Sequence, residues 1–124
     1  MSGKVVACMC VKNESYYLPG FLDHIRKYVD AFCVLDDGST DATLDILAKE
    51  PKVEKIIKLP RHDDIGYDER GNREKVVRGA WSMGADWVLC CDPDERFEKR
   101  FLKDLRKIIN GGGLVLRADH QRER

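Results

Sequence analysis

Trp87-Val88-Leu89-Cys90-Cys91-Asp92-Pro93-Asp94-Glu95 is the stretch on which the reading of the fold turns. Its first five residues carry no charge and run straight into a cluster of acids. A short apolar run with tryptophan and valine is the pattern of a strand covered on both faces. Proline cannot donate to a central ladder, so Pro93 marks the strand's end. The carboxylates of Asp92 and Asp94 then lie one residue apart at the tip. Like charges that close repel, and a bound cation or a proton relieves the repulsion. A divalent metal whose shell is completed by phosphate oxygens is a common solution. The plainer alternative is that the acids open a helix, because carboxylates favour the positive end of the helix dipole.

The same grammar recurs toward the N-terminus. Residues 5–11 form a continuous apolar run ending at Lys12-Asn13-Glu14, and residues 31–35 form another ending at Asp36-Asp37-Gly38-Ser39-Thr40-Asp41. Between them Leu18, Leu22, Ile25 and Val29 recur at helical spacing, opposite Asp23, Arg26 and Lys27. Pro19 suits the first turn of that helix, and Asn13 or Ser15 is expected to cap it. After the second acidic tip Gly38 permits a sharp turn. Ser39 or Thr40 is expected to cap the next helix, which buries Leu44, Leu47 and Ala48 and stops before Pro51. Residues 53–59 mix apolar and charged positions, the mark of a strand near an edge or with one wet face. Residues 60–71 read as a polar loop. Asn72 is expected to begin a helix that buries Val76, Val77, Ala80 and Trp81 and ends at Gly84. Phe101, Leu105 and Ile108 mark a last helix, closed by Gly111-Gly112-Gly113, with a short strand at residues 114–116 and a polar tail. Strands alternating with helices imply an α/β fold: a mostly parallel sheet with helices on both faces.

The chain has 124 residues, 43% hydrophobic and 35% charged, which suits one domain with a real core, spanning residues 1–124. Lysine plus arginine equals aspartate plus glutamate at 22 each. Zero formal net charge argues against a general binder of nucleic acid or acidic membranes. No apolar run approaches the ~20 residues needed to span a bilayer. The first residues lead into a strand without a signal-peptide pattern, so a cytoplasmic protein is expected. The five cysteines, Cys8, Cys10, Cys33, Cys90 and Cys91, lie in apolar runs and form no CxxC pair. They read as reduced, buried, small hydrophobes rather than a zinc ribbon.

In a parallel sheet every strand's carboxyl end faces the same edge, and ligands bind beyond it, where strand order reverses. All three polar tips lie at carboxyl ends, so all three are expected to meet there. Asp37 can accept a hydrogen bond from a base N–H or a ribose hydroxyl. Asp92 and Asp94 can hold a cation that neutralises a diphosphate. Arg73, near a helix start, can grip phosphate with its fork or simply be solvated. Lys75 and Arg78 read as surface. Other templates fit poorly. An EF-hand loop from Asp92 would need glycine where Phe97 stands. His24, His62 and His120 do not cluster as zinc ligands would. No Gly-x-Gly-x-x-Gly follows the first strand, and no Ser or Cys stands in a nucleophile elbow.

Asn13-Glu14, Asp36-Asp37-Gly38-Ser39-Thr40-Asp41, and Gly84-Ala85-Asp86-Trp87-Val88-Leu89 leading into Asp92-Pro93-Asp94-Glu95 resemble, in order and spacing, the family-2 glycosyltransferases of the GT-A fold. The likeness covers about residues 4–110. It implies a Rossmann-like domain that takes a nucleotide-diphospho-sugar donor and transfers the sugar, with inversion, to an acceptor the sequence does not specify. By that resemblance Asp37 recognises the base, with Glu14 and the Val11-Lys12 backbone beside it. Asp92 lies near the ribose and diphosphate, Arg73 faces the nucleotide, and Asp94 binds a divalent metal, Mg2+ or Mn2+. Two departures stand out. Val11 and Lys12 occupy places where the family commonly has proline and an aromatic residue. The chain also ends soon after the last helix, where the family's acceptor site and catalytic base follow. The C-terminal part of the fold is therefore expected to be missing, and no catalytic residue is assigned. A non-catalytic nucleotide-binding fragment and a metal-dependent phosphotransfer domain are the alternatives. The second is disfavoured, because its nucleophilic aspartate would follow the first strand, where Asn13-Glu14 stand.

Overall fold

A computed structural model describes residues 3–60 and 69–93 of the chain. In chain order the elements are β1 (Val5–Val11), α1 (Leu18–Ile25), β2 (Ala31–Asp36), α2 (Thr43–Ala48), β3 (Val53–Lys58), α3 (Glu69–Ser82) and β4 (Trp87–Cys90). The strands form a four-stranded sheet in the order β3-β2-β1-β4, and each neighbouring pair is parallel. The expected last helix, the Gly111-Gly112-Gly113 triplet, the final strand and Asp94 lie outside the described residues.

Period-two alternation divides the strands between two cores. Val5, Ala7, Met9 and Val11 of β1, with Phe32 and Val34 of β2, pack against Leu18, Phe21, Leu22 and Ile25 of α1 and Leu47 of α2. Val6 and Cys8, with Cys33, Leu35 and Val88, pack against Val76 and Ala80 of α3. Crossovers between parallel strands keep one hand. The order advances from β1 through β2 to β3, so α1 and α2 share a face. It then returns past β1 to β4, so α3 covers the opposite face. Each large side chain fully buried this way contributes about 1.5–3 kcal/mol by leaving water. β3, at one edge, has only partly buried or exposed residues, as its mixed pattern implies. Glu50 is buried and accepts from Arg26 Nε (3.0 Å) and Nη2 (2.8 Å), tying the end of α1 to the turn before β3.

Several local expectations are corrected. α3 begins at Glu69, three residues before Asn72. The added residues are polar and carry no apolar periodicity that could have revealed them. The N-cap of α1 is Tyr17 and that of α2 is Ala42, and neither makes a side-chain capping bond. Asn13, Ser15, Ser39 and Thr40 use their polar groups across the sheet edge instead, as described below. In α2 the buried residues are Thr43 and Leu47, while Ala48 is exposed. β2 runs one residue further and includes Asp36, paired in register with Val11. Gly84, at φ 83°, ends α3 as expected, with its N–H on Trp81 O at 3.0 Å. Among the described residues no helix is long and apolar enough to cross a membrane.

Candidate donor site at the carboxyl edge

The parallel register brings the tips of β1 and β2 side by side. Asp37 N–H donates to Val11 O at 2.9 Å, and Asp37 is buried. Asp36 Oδ2 accepts from Ser39 N at 3.0 Å, closing a turn that Gly38 enters at φ 78°. Asp36 Oδ1 is buried with no hydrogen-bond partner among the described residues. Across from this turn, Asn13 adopts φ 53°. That geometry aims its N–H at Ser39 Oγ (2.9 Å) and its Oδ1 at the N–H groups of Thr40 (2.7 Å) and Asp41 (3.3 Å). Glu14 N–H donates to Thr43 Oγ1 at 2.9 Å. Asp41 closes the arrangement. Its Oδ2 accepts from Ser15 Oγ (2.7 Å) and N (3.3 Å), and its Oδ1 accepts from Thr43 N (2.9 Å) and from the Thr43 hydroxyl. Partial burial pushes the Asp41 carboxyl up, but the hydrogen bonds from Thr43 and Ser15 outweigh it and hold the group at about 2.

On the other side of β1 the chain reverses direction across the sheet, and a crevice of about 50 Å³ opens between β1 and β4. Cys8, Cys10, Cys90, Asp92, Arg73 and Val76 contribute to its lining. Such a reversal point is where open parallel sheets take their ligands. Cys10 reports what surrounds it. Burial pushes its thiol up to about 11, the Arg73 guanidinium opposes that, and the charges of Asp92 and Asp37 add to it. One thiol thus feels Asp37 just past β2, Arg73 from α3 and Asp92 just past β4.

The expected site residues fall as follows. Val11 and Asp37 are buried at the joined tips, Glu14 is half-buried beside them, and Lys12 is exposed. Arg73 and Asp92 are exposed at the crevice. Asp94 lies outside the described residues. All six described positions come to one edge of the sheet. Sequence reasoning missed Cys10 at its centre and the joint roles of Asn13, Asp41 and Thr43. An asparagine two residues past the end of a strand, of a type that tolerates left-handed backbone, was the available signal for Asn13.

The donor chemistry suits a hard cation better than a soft one. Asp92 offers carboxylate oxygen, the ligand type that magnesium and manganese prefer. The nearby thiols are held protonated: contact with Cys90 and burial push Cys8 well up, and their Sγ atoms lie 3.6 Å apart. Among the described residues no group of three potential ligands forms a metal cage. A magnesium held by one or two carboxylates and substrate phosphates needs none.

Comparison with known proteins gives this edge a context. Residues 6–117 match the family described as Glycosyl transferase family 2. A TPR repeat-containing protein of Synechococcus elongatus is 31% identical over 107 residues, covering 86% of this chain and 24% of its own length. Uncharacterized proteins of Mycobacterium bovis and Mycobacterium tuberculosis are each 30% identical over 110 residues, covering 86% of this chain and 26% of their own. The chain thus spans about a quarter of the length of the curated relatives it matches.

Proposed function

We propose that this chain, which belongs to glycosyl transferase family 2, binds a nucleotide-diphospho-sugar at the carboxyl edge of its sheet and forms the donor half of a metal-assisted, inverting sugar transfer. The observation that carries this reading is that Asp37 is bonded to the tip of β1 at Val11, while Arg73 and Asp92 line the crevice with Cys10 on the other side of β1, where strand order reverses. A nucleotide presents hydrogen-bond donors at its base and hydroxyls, and negative charge at its diphosphate. Asp37 accepts from the base, while Glu14 and the Val11-Lys12 backbone flank it. Arg73 turns its guanidinium fork to the diphosphate. Asp92 sits near the ribose and diphosphate. Asp94, two residues on, holds Mg2+ or Mn2+. A cation held there would supply Lewis-acid neutralisation of the diphosphate charge. The nucleoside diphosphate leaves the anomeric carbon. An acceptor hydroxyl attacks that carbon from the opposite face, which inverts it. The base that takes the hydroxyl proton is not assigned to any residue of this chain.

A second reading is a nucleotide-binding piece that completes no transfer by itself. Family membership counts against the phosphotransfer alternative. Calorimetric titration with UDP, GDP and ADP, each with and without Mn2+, tests the donor reading. One of the three is expected to bind in a metal-dependent way. Asp37→Ala should weaken that binding about 10- to 100-fold, the loss of a charge-assisted hydrogen bond. Asp94→Ala should abolish the metal dependence. No binding of any of the three, or unchanged binding in both variants, would sink the proposal.

A further inference from the structure

We infer that Asp41 and Thr43 are positioning residues of the donor site, acting through the Glu14 loop rather than by touching the nucleotide. The inference rests on the donor reading above. Lys12-Asn13-Glu14 leave β1 with no regular secondary structure of their own, so something else must set their position. A relay of hydrogen bonds does so. Glu14 N–H rests on Thr43 Oγ1, and the Thr43 hydroxyl donates onward to Asp41 Oδ1. Asp41 Oδ2 takes both the hydroxyl and the N–H of Ser15. Thr43 is fully buried. Its single hydroxyl proton is committed to Asp41, which leaves the oxygen lone pairs for Glu14. Asp41 receives donors on both oxygens, and only a carboxylate accepts on both sides. An asparagine there would turn an NH2 group toward either Thr43 or Ser15, so that the backbone N–H on that side faces a donor and its bond is lost. The clamp lies between the tip that carries Asp37 and the loop that carries Glu14, the two sides of the proposed base pocket. Releasing it leaves Glu14 and Ser15, beyond the Asn13 anchor, to be ordered at the moment of binding, an entropic cost that appears as lost affinity.

The test compares the unmodified chain with Asp41→Asn, Thr43→Val and Thr43→Ser. Each is titrated with Mn2+ and whichever of UDP, GDP or ADP binds the unmodified chain, well below every variant's melting temperature. Asp41→Asn and Thr43→Val are expected to raise Kd about tenfold or more. Thr43→Ser, which keeps the hydroxyl, should retain the native Kd. Amide hydrogen exchange at Glu14 and Ser15 should accelerate in Asp41→Asn without ligand. Variants that melt earlier yet bind with unchanged Kd would overturn the inference and leave the donor reading standing. Failure of the unmodified chain to bind any of the three would overturn both. Should Asp41→Asn not fold, the Val and Ser pair at position 43 decides alone.

Discussion

At the residue scale, the site depends on polar side chains working against their most familiar habit. Asn13, Ser15, Ser39 and Thr40 all suit a helix cap, yet none caps α1 or α2. Asn13 pays for a left-handed backbone, tolerated by asparagine better than by other non-glycine residues, and its carboxamide then bridges to the neighbouring tip. Asp41 is the other key residue, and its charge makes an acid test possible. Its folded carboxyl at about 2 lies below the ~3.9 of an unfolded chain, so the unfolded state takes up its proton first. Its contribution to stability is therefore fully present above about pH 4 and is lost as pH falls through about 2. Urea unfolding of the unmodified chain and Asp41→Asn should show a stability gap that is constant from pH 5 to 7 and closes toward pH 2. A gap independent of pH would contradict the hydrogen-bond assignment.

At the element scale, α3 is the helix that brings Arg73 to the crevice, and its closeness to the sheet is set by Gly79. A β-carbon there would stand 2.9 Å from Cys33 Sγ and 3.2 Å from Ile57 Cδ1. Cys33 Sγ also reaches Val76 O at 3.6 Å, so the sulfur has little freedom to withdraw. Gly79→Ala gains about 1 kcal/mol of helix propensity but forces an overpacked contact costing about 1–3 kcal/mol. The expected net effect is a small loss of stability in urea, recovered at least in part by adding Cys33→Ala. Equal or greater stability in the single variant would show that α3 does not rest so closely on β2. The apolar spacing of Val76, Ala80 and their neighbours made this helix legible in the sequence. Its first turn was not legible, because Glu69, Arg70 and Gly71 add no apolar residue to the periodic signal.

At the scale of the whole molecule, the two cores that sandwich the sheet also account for the cysteines. Cys8 and Cys33 are almost wholly buried, and burial holds the Cys33 thiol at about 11. The thiolate is the reactive form, so both should resist disulfide reagents at pH 8 while the chain is folded. Their modification should accelerate in urea in step with loss of circular dichroism. Fast labelling of Cys33 in the native chain would mean that α3 opens independently of the sheet. The sequence by itself determined the α/β class, the faces each strand buries, and the polar ending of each central strand. These are local properties, set by side-chain period and by the residues that stop an element. Only the tertiary structure decided that β4 lies beside β1, that Arg73 and Asp92 thereby share Cys10 with Asp37, and that Asp41 and Thr43 hold the Glu14 loop. Such neighbours are far apart along the chain. Their meeting follows from burying both faces of one sheet with crossovers of fixed hand, a condition that no single segment carries.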